Sequence, residues 1–440
     1  MKMFCRMLPR VKLLLRLFVL SAASAGAQSK LALDPGSAAL SQGDFKGAEA
    51  IYRRALVESP RSPEALSNLG IALQMQGRSS EAIHAFEKAL KLRPMPRIYA
   101  LLAEEKCKTR DLDGARPMVE HITRENSKDA SILALIAPCY LELDEPIESV
   151  HAYETLLSYP AFPPDLALIQ LASSYRKSAQ FFYSRLNQAP DRGPYVDALQ
   201  QARDKGSTDA RGAFALAAKS SPYFRPDLDL PDALARWREH PQDTALLYLL
   251  DVLNVEQSMR QVEICDEKFP DSPYLAQLKT EILADQGHED EAAARYTSLI
   301  HTHPELPDLL YDLGALYRKE RDWEKALDAF QRQLTQYPDD ERSAARVSEA
   351  MIQLGSWKEL SAFLSPRVTV PEPPLWALLD FAEAEQNLER PERAIGALTS
   401  AEKSYPADKS VHYRLMRLYR STGDSAEAKK ELAQYLALSK

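Results

Sequence analysis

A period of 34 residues runs through this chain and limits it to an architecture built by repetition. Pro60 and Pro94 are 34 apart, and Pro270, Pro304 and Pro338 continue the step, with Pro406 at twice that spacing. Alanine keeps the same rhythm at Ala48 and Ala82, then at Ala292, Ala326, Ala394 and Ala428. Glycine forms a third grid at Gly43 and Gly77, then Gly287, Gly355 and Gly423. Self-similarity at such a spacing is the mark of a repeat array.

Between the grid points apolar residues recur at three and four, as in Leu66, Leu69 and Leu73 and again in Ile83, Phe86 and Leu90. That is the stripe of an amphipathic helix, so each unit reads as two helices. The glycine falls where the first helix stops, a place that favours a left-handed cap. The proline ends the second helix, which it cannot continue. Gly70 and Ala82 are the expected close contacts between the two helices, with Leu73 and Phe86 filling the space beside them and Ala89 meeting the next unit.

Leu310-x2-Leu313-Gly314-x2-Tyr317, then Ala326-x3-Phe330 and Pro338, resembles the tetratricopeptide-repeat signature, with Leu in place of the usual leading Trp. Leu66, Leu69-Gly70, Leu73, Ala82, Phe86, Ala89 and Pro94 carry the same resemblance. It implies an all-α fold, a right-handed superhelical solenoid of antiparallel helix pairs, in about twelve units. More degenerate units align on Ala210, Phe214, Ala217 and Pro222, and on Ser178, Phe182 and Pro190. From Pro222 to Pro241 there is room for one helix only, Leu230 to Glu239. The expected organisation is a leader at 1–27, an array at 28–222, an irregular insertion or hinge at 223–241 and a second array at 242–440.

The leader carries Lys2, Arg6, Arg10, Lys12 and Arg16, an apolar run from Leu17 and the small residues Ala25-Gly26-Ala27, the pattern of a secretory signal cleaved before Gln28. The run is too short for a membrane span. An exported protein, periplasmic or secreted, is the expectation. Cleavage removes five basic and no acidic residues, taking the net charge from −8 to −13. An acidic chain disfavours nucleic acid as a partner. Cys107, Cys139 and Cys265 remain, an odd number without CxxC spacing, and are expected as small buried residues on helices.

No GxSxG, phosphate loop, GxGxxG or HExxH occurs, so no catalytic residue, metal or cofactor is expected. His301 and His303 read as a solvated helix end, and Glu289-Asp290-Glu291 as the negative start of a helix. The family resemblance instead implies a protein or peptide partner on first-helix positions that face inward. In one unit these include Asn68, Ile71, Gln74 and Met75, and in another Tyr311, Asp312 and Arg318. In the last unit Tyr413, Arg414, Arg417 and Arg420 would form a basic patch. A terminal-carboxylate clamp of the family's kind is not expected: Lys30, Asn68 and Arg97 correspond, but Asp34 and Leu101 depart from it. Leu432, Tyr435, Leu436 and Leu438 leave an apolar C-terminal end that favours self-association. The main expectation is a non-catalytic binding scaffold; an envelope assembly factor and a toroid hydrolase with dispersed acidic residues are the alternatives.

Enlarging a close contact overpacks it, at about 1–3 kcal/mol. Ala82→Leu is expected to lower the thermal midpoint; an unchanged midpoint would contradict this packing assignment.

Overall fold

The computed structural model describes residues 34–124, 129–204 and 210–438, all helical or connecting, with no strand among them. The leader at 1–27 and Lys30 lie outside the described residues. The chain forms two compact units that divide between Asp308 and Leu309.

Unit 1 opens with four helix pairs: α1 (Pro35–Gln42) with α2 (Phe45–Glu58), α3 (Pro63–Met75) with α4 (Ser79–Leu92), α5 (Pro96–Lys108) with α6 (Leu112–Arg124), and α7 (Ala130–Glu142) with α8 (Pro146–Leu157). There follow a long helix α9 (Pro164–Gln188), the shorter α10 (Gly193–Asp204), α11 (Phe214–Ser220) and α12 (Leu230–Glu239), and a second long helix α13 (Thr244–Lys268). The unit closes with α14 (Pro273–Asp285) and α15 (Glu289–Thr302). Unit 2 holds four pairs: α16 (Leu309–Lys319) with α17 (Trp323–Gln336), α18 (Glu341–Gln353) with α19 (Trp357–Val368), α20 (Leu375–Asn387) with α21 (Pro391–Ser404), and α22 (Lys409–Thr422) with α23 (Ser425–Ala437).

Each of these nine pairs turns at one residue in the left-handed region: Gly43, Gly77, Arg110, Asp144, Gly287, Arg321, Gly355, Glu389 and Gly423, with φ between 57° and 87°. After each, the next N–H donates to the carbonyl five residues back, as from Asp44 to Ala39, Arg78 to Leu73, Asp322 to Tyr317 and Asp424 to Tyr419. This is the Schellman stop, which satisfies carbonyls the helix end would leave open. The same next residue starts the second helix. Asp44, Asp111, Asp322 and Asp424 accept from the backbone N–H three residues on, at 2.9–3.2 Å. A turn of two residues therefore ends one helix and begins the next.

The packing follows the grid. Ala82 is fully buried, as are Ala48, Ala292, Ala326 and Ala394. A Cβ on Gly70 would lie 2.5 Å from Phe86 Cε1, and one on Gly314 would lie 2.8 Å from Phe330 Cε1. Only hydrogen on those glycines lets the aromatic ring of the second helix lie on the first.

Two long helices run through the place where a stop would fall. Ser178 and Phe182, expected in a shortened unit of their own, lie within α9, which runs unbroken for 25 residues, and Pro190 follows just beyond its end. α13 also runs for 25 residues. Ser173 and Leu253 stand where the left-handed residue would fall, and neither helix contains glycine or a positive φ. The two long helices lie antiparallel: Ser258 Oγ donates to Ala172 O at 2.8 Å, and Ser272 Oγ to Asp165 Oδ2 at 2.9 Å. The described residues of 189–204 and 210–243 pack over their ends through aromatic contacts. Trp237 meets Phe182 at 5.1 Å, and Tyr248 meets Tyr195 at 5.2 Å and Phe214 at 5.8 Å.

The three cysteines are buried on helices as expected, and two of them are also joined: Cys107 of α5 and Cys139 of α7 form a disulfide with Cα atoms 5.7 Å apart, leaving Cys265 as the free cysteine among the described residues. First helices of successive units lie side by side, so residues almost one period apart meet.

A charged residue held left-handed costs roughly 1–2 kcal/mol, against little for glycine. Arg321→Gly and Glu389→Gly are each expected to raise stability by about 0.5–1 kcal/mol after the added freedom of the unfolded chain is counted. Urea midpoints check this; a fall in either variant would contradict the assigned turn.

Candidate partner-binding face

Unit 2 repeats its period four times, so first-helix residues 34 apart occupy one row across α16, α18, α20 and α22. Asp312, Arg346, Asp380 and Arg414 form one such row, and Ala315, Glu349, Glu383 and Arg417 form the next. Charge alternates along the first row, and the second supplies partners both across helices and within one. Arg318 donates to Glu349 Oε1 at 3.2 Å, and Arg346 donates to Glu349 Oε2 at 2.5 Å. Ser348 Oγ donates to Asp380 Oδ2 at 2.7 Å, and Arg414 donates to Glu383 Oε2 at 3.2 Å and to Leu379 O at 3.3 Å. The Arg342 guanidinium lies over the Tyr311 ring at 4.9 Å.

Burial pushes the Asp380 carboxyl up, Ser348 and Arg414 pull it down, and Glu383 and Glu349 push it up again; the net direction is upward. Arg346 is destabilised as a cation by burial, yet its bonds to Glu349 and Tyr311 leave it above its ordinary value. These pairs are about one-third exposed. Such pairs contribute only about 0–1 kcal/mol each, so they orient side chains more than they stabilise the unit.

The row ends differently on α22. Tyr413 is 42% exposed, the Arg417 guanidinium lies 5.9 Å from its ring centroid, and the Tyr435 ring lies 5.6 Å away. Arg417 and Arg420 are exposed, and no carboxylate pairs with either among the described residues. The C-terminal end nearby keeps Leu436 and Leu438 exposed.

The first-unit positions have another role. Ile71 and Gln74 are buried, at 8% and 7% exposure, and Gln74 Nε2 donates to Glu104 Oε2 at 2.9 Å and Glu105 Oε1 at 2.8 Å. They face the neighbouring first helix, which removes them from a free surface. Asn68 donates to the Tyr52 hydroxyl at 3.2 Å, and burial raises that phenol to about 12. Met75 is partly buried against the core. Asp34 caps α1 through Gly36 and Ser37. Asp312 is buried, Tyr311 packs on Phe330, and Arg318 is committed to Glu349. His301 is exposed, and His303 follows α15 as its cap. Sequence reasoning missed Arg342, Arg346, Glu349, Asp380 and Glu383; their phasing with Asp312 and Arg414 was the signal available.

Sequence models of the tetratricopeptide repeat match residues 39–105 and 283–359, and a second model of the same repeat matches 379–439. The chain is a tetratricopeptide-repeat protein. The matches fall where helix pairs close at left-handed stops, and they skip both long helices. Membership makes this tetratricopeptide-repeat chain a protein–protein interaction scaffold in the coarse sense. Among solved structures it is similar to MamA MSR-1 C2, at 18% identity and TM-score 0.32, covering 38% of this chain and 96% of that one. It is also similar to Cut9 in the APC/C hetero-tetramer Cut9–Hcn1, at 15% identity and TM-score 0.31, covering 97% and 96%. Yeast Tom70 aligns at 13% identity and TM-score 0.33, covering 92% and 91%. These likenesses carry no argument about partners. No curated protein sequence matches the chain. No helix among the described residues is long and apolar enough to cross a membrane.

Removing the Gln74 amide leaves Glu104 and Glu105 short of a buried donor, at about 1–3 kcal/mol. Gln74→Met is expected to lower stability by that amount in urea denaturation; a neutral result would return Gln74 to the candidate ligand-facing set.

Proposed function

We propose that this chain is an exported, non-catalytic scaffold that holds an acidic segment of a partner protein against the first-helix face of unit 2. The observation that carries the reading is the end of that face, where Tyr413, Arg417 and Arg420 are exposed while Arg318, Arg346 and Arg414 are held by Glu349 and Glu383. An exposed guanidinium beside an aromatic ring suits carboxylates, which it meets in a fixed fork. The whole chain has net charge −8, so this cationic strip stands out against its surroundings. Pairing of the inner carboxylates with arginine supports a binding role over acid–base chemistry.

Two features support export. The basic, apolar and small-residue order of residues 1–27 fits a secretory leader, and the Cys107–Cys139 disulfide fits an oxidising compartment. N-terminal sequencing of the protein from its native cell is expected to begin at Gln28; recovery with Met1 intact would contradict cleavage.

The partner chemistry is tested with a fluorescein-labelled glutamate-rich peptide. Arg417→Ala with Arg420→Ala is expected to weaken binding at least about tenfold, and salt to weaken the unaltered protein's binding, since exposed charges are screened. Because both residues are exposed, stability is expected to stay within about 0.5 kcal/mol. Equal binding by both proteins would contradict the reading.

A further inference from the structure

We propose that the last three helices hold a site for a first-row divalent cation of the zinc class, formed by Glu402, His412 and Glu431. The residues come from α21, α22 and α23, and one donor atom from each lies within 4.8 Å of the others. His412 and Glu431 are buried, 3% and 1% exposed, while Glu402 is half-buried at the edge.

The histidine ring is held from both sides. Nδ1 stands 2.7 Å from Glu431 Oε2, and Nε2 stands 3.2 Å from the Pro406 carbonyl oxygen. A carbonyl only accepts, so Nε2 carries a hydrogen and donates it. In the neutral ring Nδ1 is then a lone pair aimed at a carboxylate. That contact is repulsive until a proton sits between the two atoms or a cation binds beside both of them.

A cation meets this demand with groups already in place. Metal-bound histidines characteristically donate their other N–H to a carbonyl or carboxylate, which fixes the ring, and Pro406 supplies that support. Donor atoms around zinc sit at about 2.0–2.2 Å from the ion, hence about 3–4 Å from one another. At 2.7 Å the His412–Glu431 pair is closer than this spacing and must part slightly to admit an ion, while a side-chain rotation brings the half-buried Glu402 in from the edge. One imidazole and two carboxylates suit zinc or a neighbouring transition ion, whereas magnesium and calcium favour oxygen alone. Lys430 Nζ lies 3.9 Å from Glu431 Oε1, on the carboxylate oxygen that does not face the ring. A bound ion would tie α23 to both preceding helices. The rival occupant of the same space is a proton, which would make the contact an imidazolium–carboxylate pair.

Zinc titration of the full-length protein, first stripped with chelator, separates the two. Calorimetry is expected to show one equivalent binding at micromolar or tighter affinity, with the thermal midpoint rising by a few degrees at saturation. Glu402→Ala leaves the buried pair intact, so it is expected to keep the metal-free midpoint while weakening zinc at least about tenfold. Cobalt in place of zinc should give a visible absorption band that His412→Gln removes. Absence of heat and of any midpoint shift up to about 1 mM zinc would overturn the site and assign the space to a proton. Undiminished binding by Glu402→Ala or His412→Gln would overturn it too, by locating the metal on other histidines.

Discussion

Everything regular in this molecule depends on a backbone stop that recurs once per period. A residue turns left-handed, the following N–H reaches back five residues, and the next helix starts at once. Because the stop takes two residues, the second helix has little choice of direction, and its aromatic residue lands on the small residue of the first. Gly70 beneath Phe86 and Gly314 beneath Phe330 are consequences of that geometry. Where the stop is missing, at Ser173 and Leu253, hydrogen bonding simply continues, and the chain spends its period on one long helix. The described residues of 189–204 and 210–243 then pack across the ends of two such helices.

The same constraint builds the candidate face of unit 2. Identical spacing puts Asp312, Arg346, Asp380 and Arg414 in line, so a charge at one repeat position meets a charge one helix over. Arg318 and Arg346 are consumed by this internal pairing, whereas Arg417 and Arg420 of the last unit are left over. A partner would therefore read the end of the row more than its middle. The disulfide obeys the same rule, joining neighbouring first helices in unit 1.

The helix pairs were legible because glycine, alanine and proline fall on a grid, each with a steric reason. Arg110, Asp144, Arg321 and Glu389 were not, because a charged residue does not announce a left-handed conformation; only the position between two flanking stops does. The single helix from Leu230 to Glu239 was readable from the prolines around it, whereas continuity of α9 was hidden by a second-helix pattern that survives without its turn. Among site residues, Ile71 and Gln74 have the spacing of an inward face but are claimed by the adjacent helix, and sequence periodicity in one unit carries no record of how closely the next unit sits. Glu402, His412 and Glu431 fall outside any motif because three different helices contribute them.

The central claim is that left-handed stops, whatever their residue type, decide where helices pair and where they run on. Backbone chemical shifts of the isotopically labelled protein test it most directly. The account predicts left-handed shifts at Arg110, Asp144, Arg321 and Glu389, and unbroken helical shifts through Ser173 and Leu253. A helical value at any of those four charged residues, or a left-handed one inside either long helix, would contradict it.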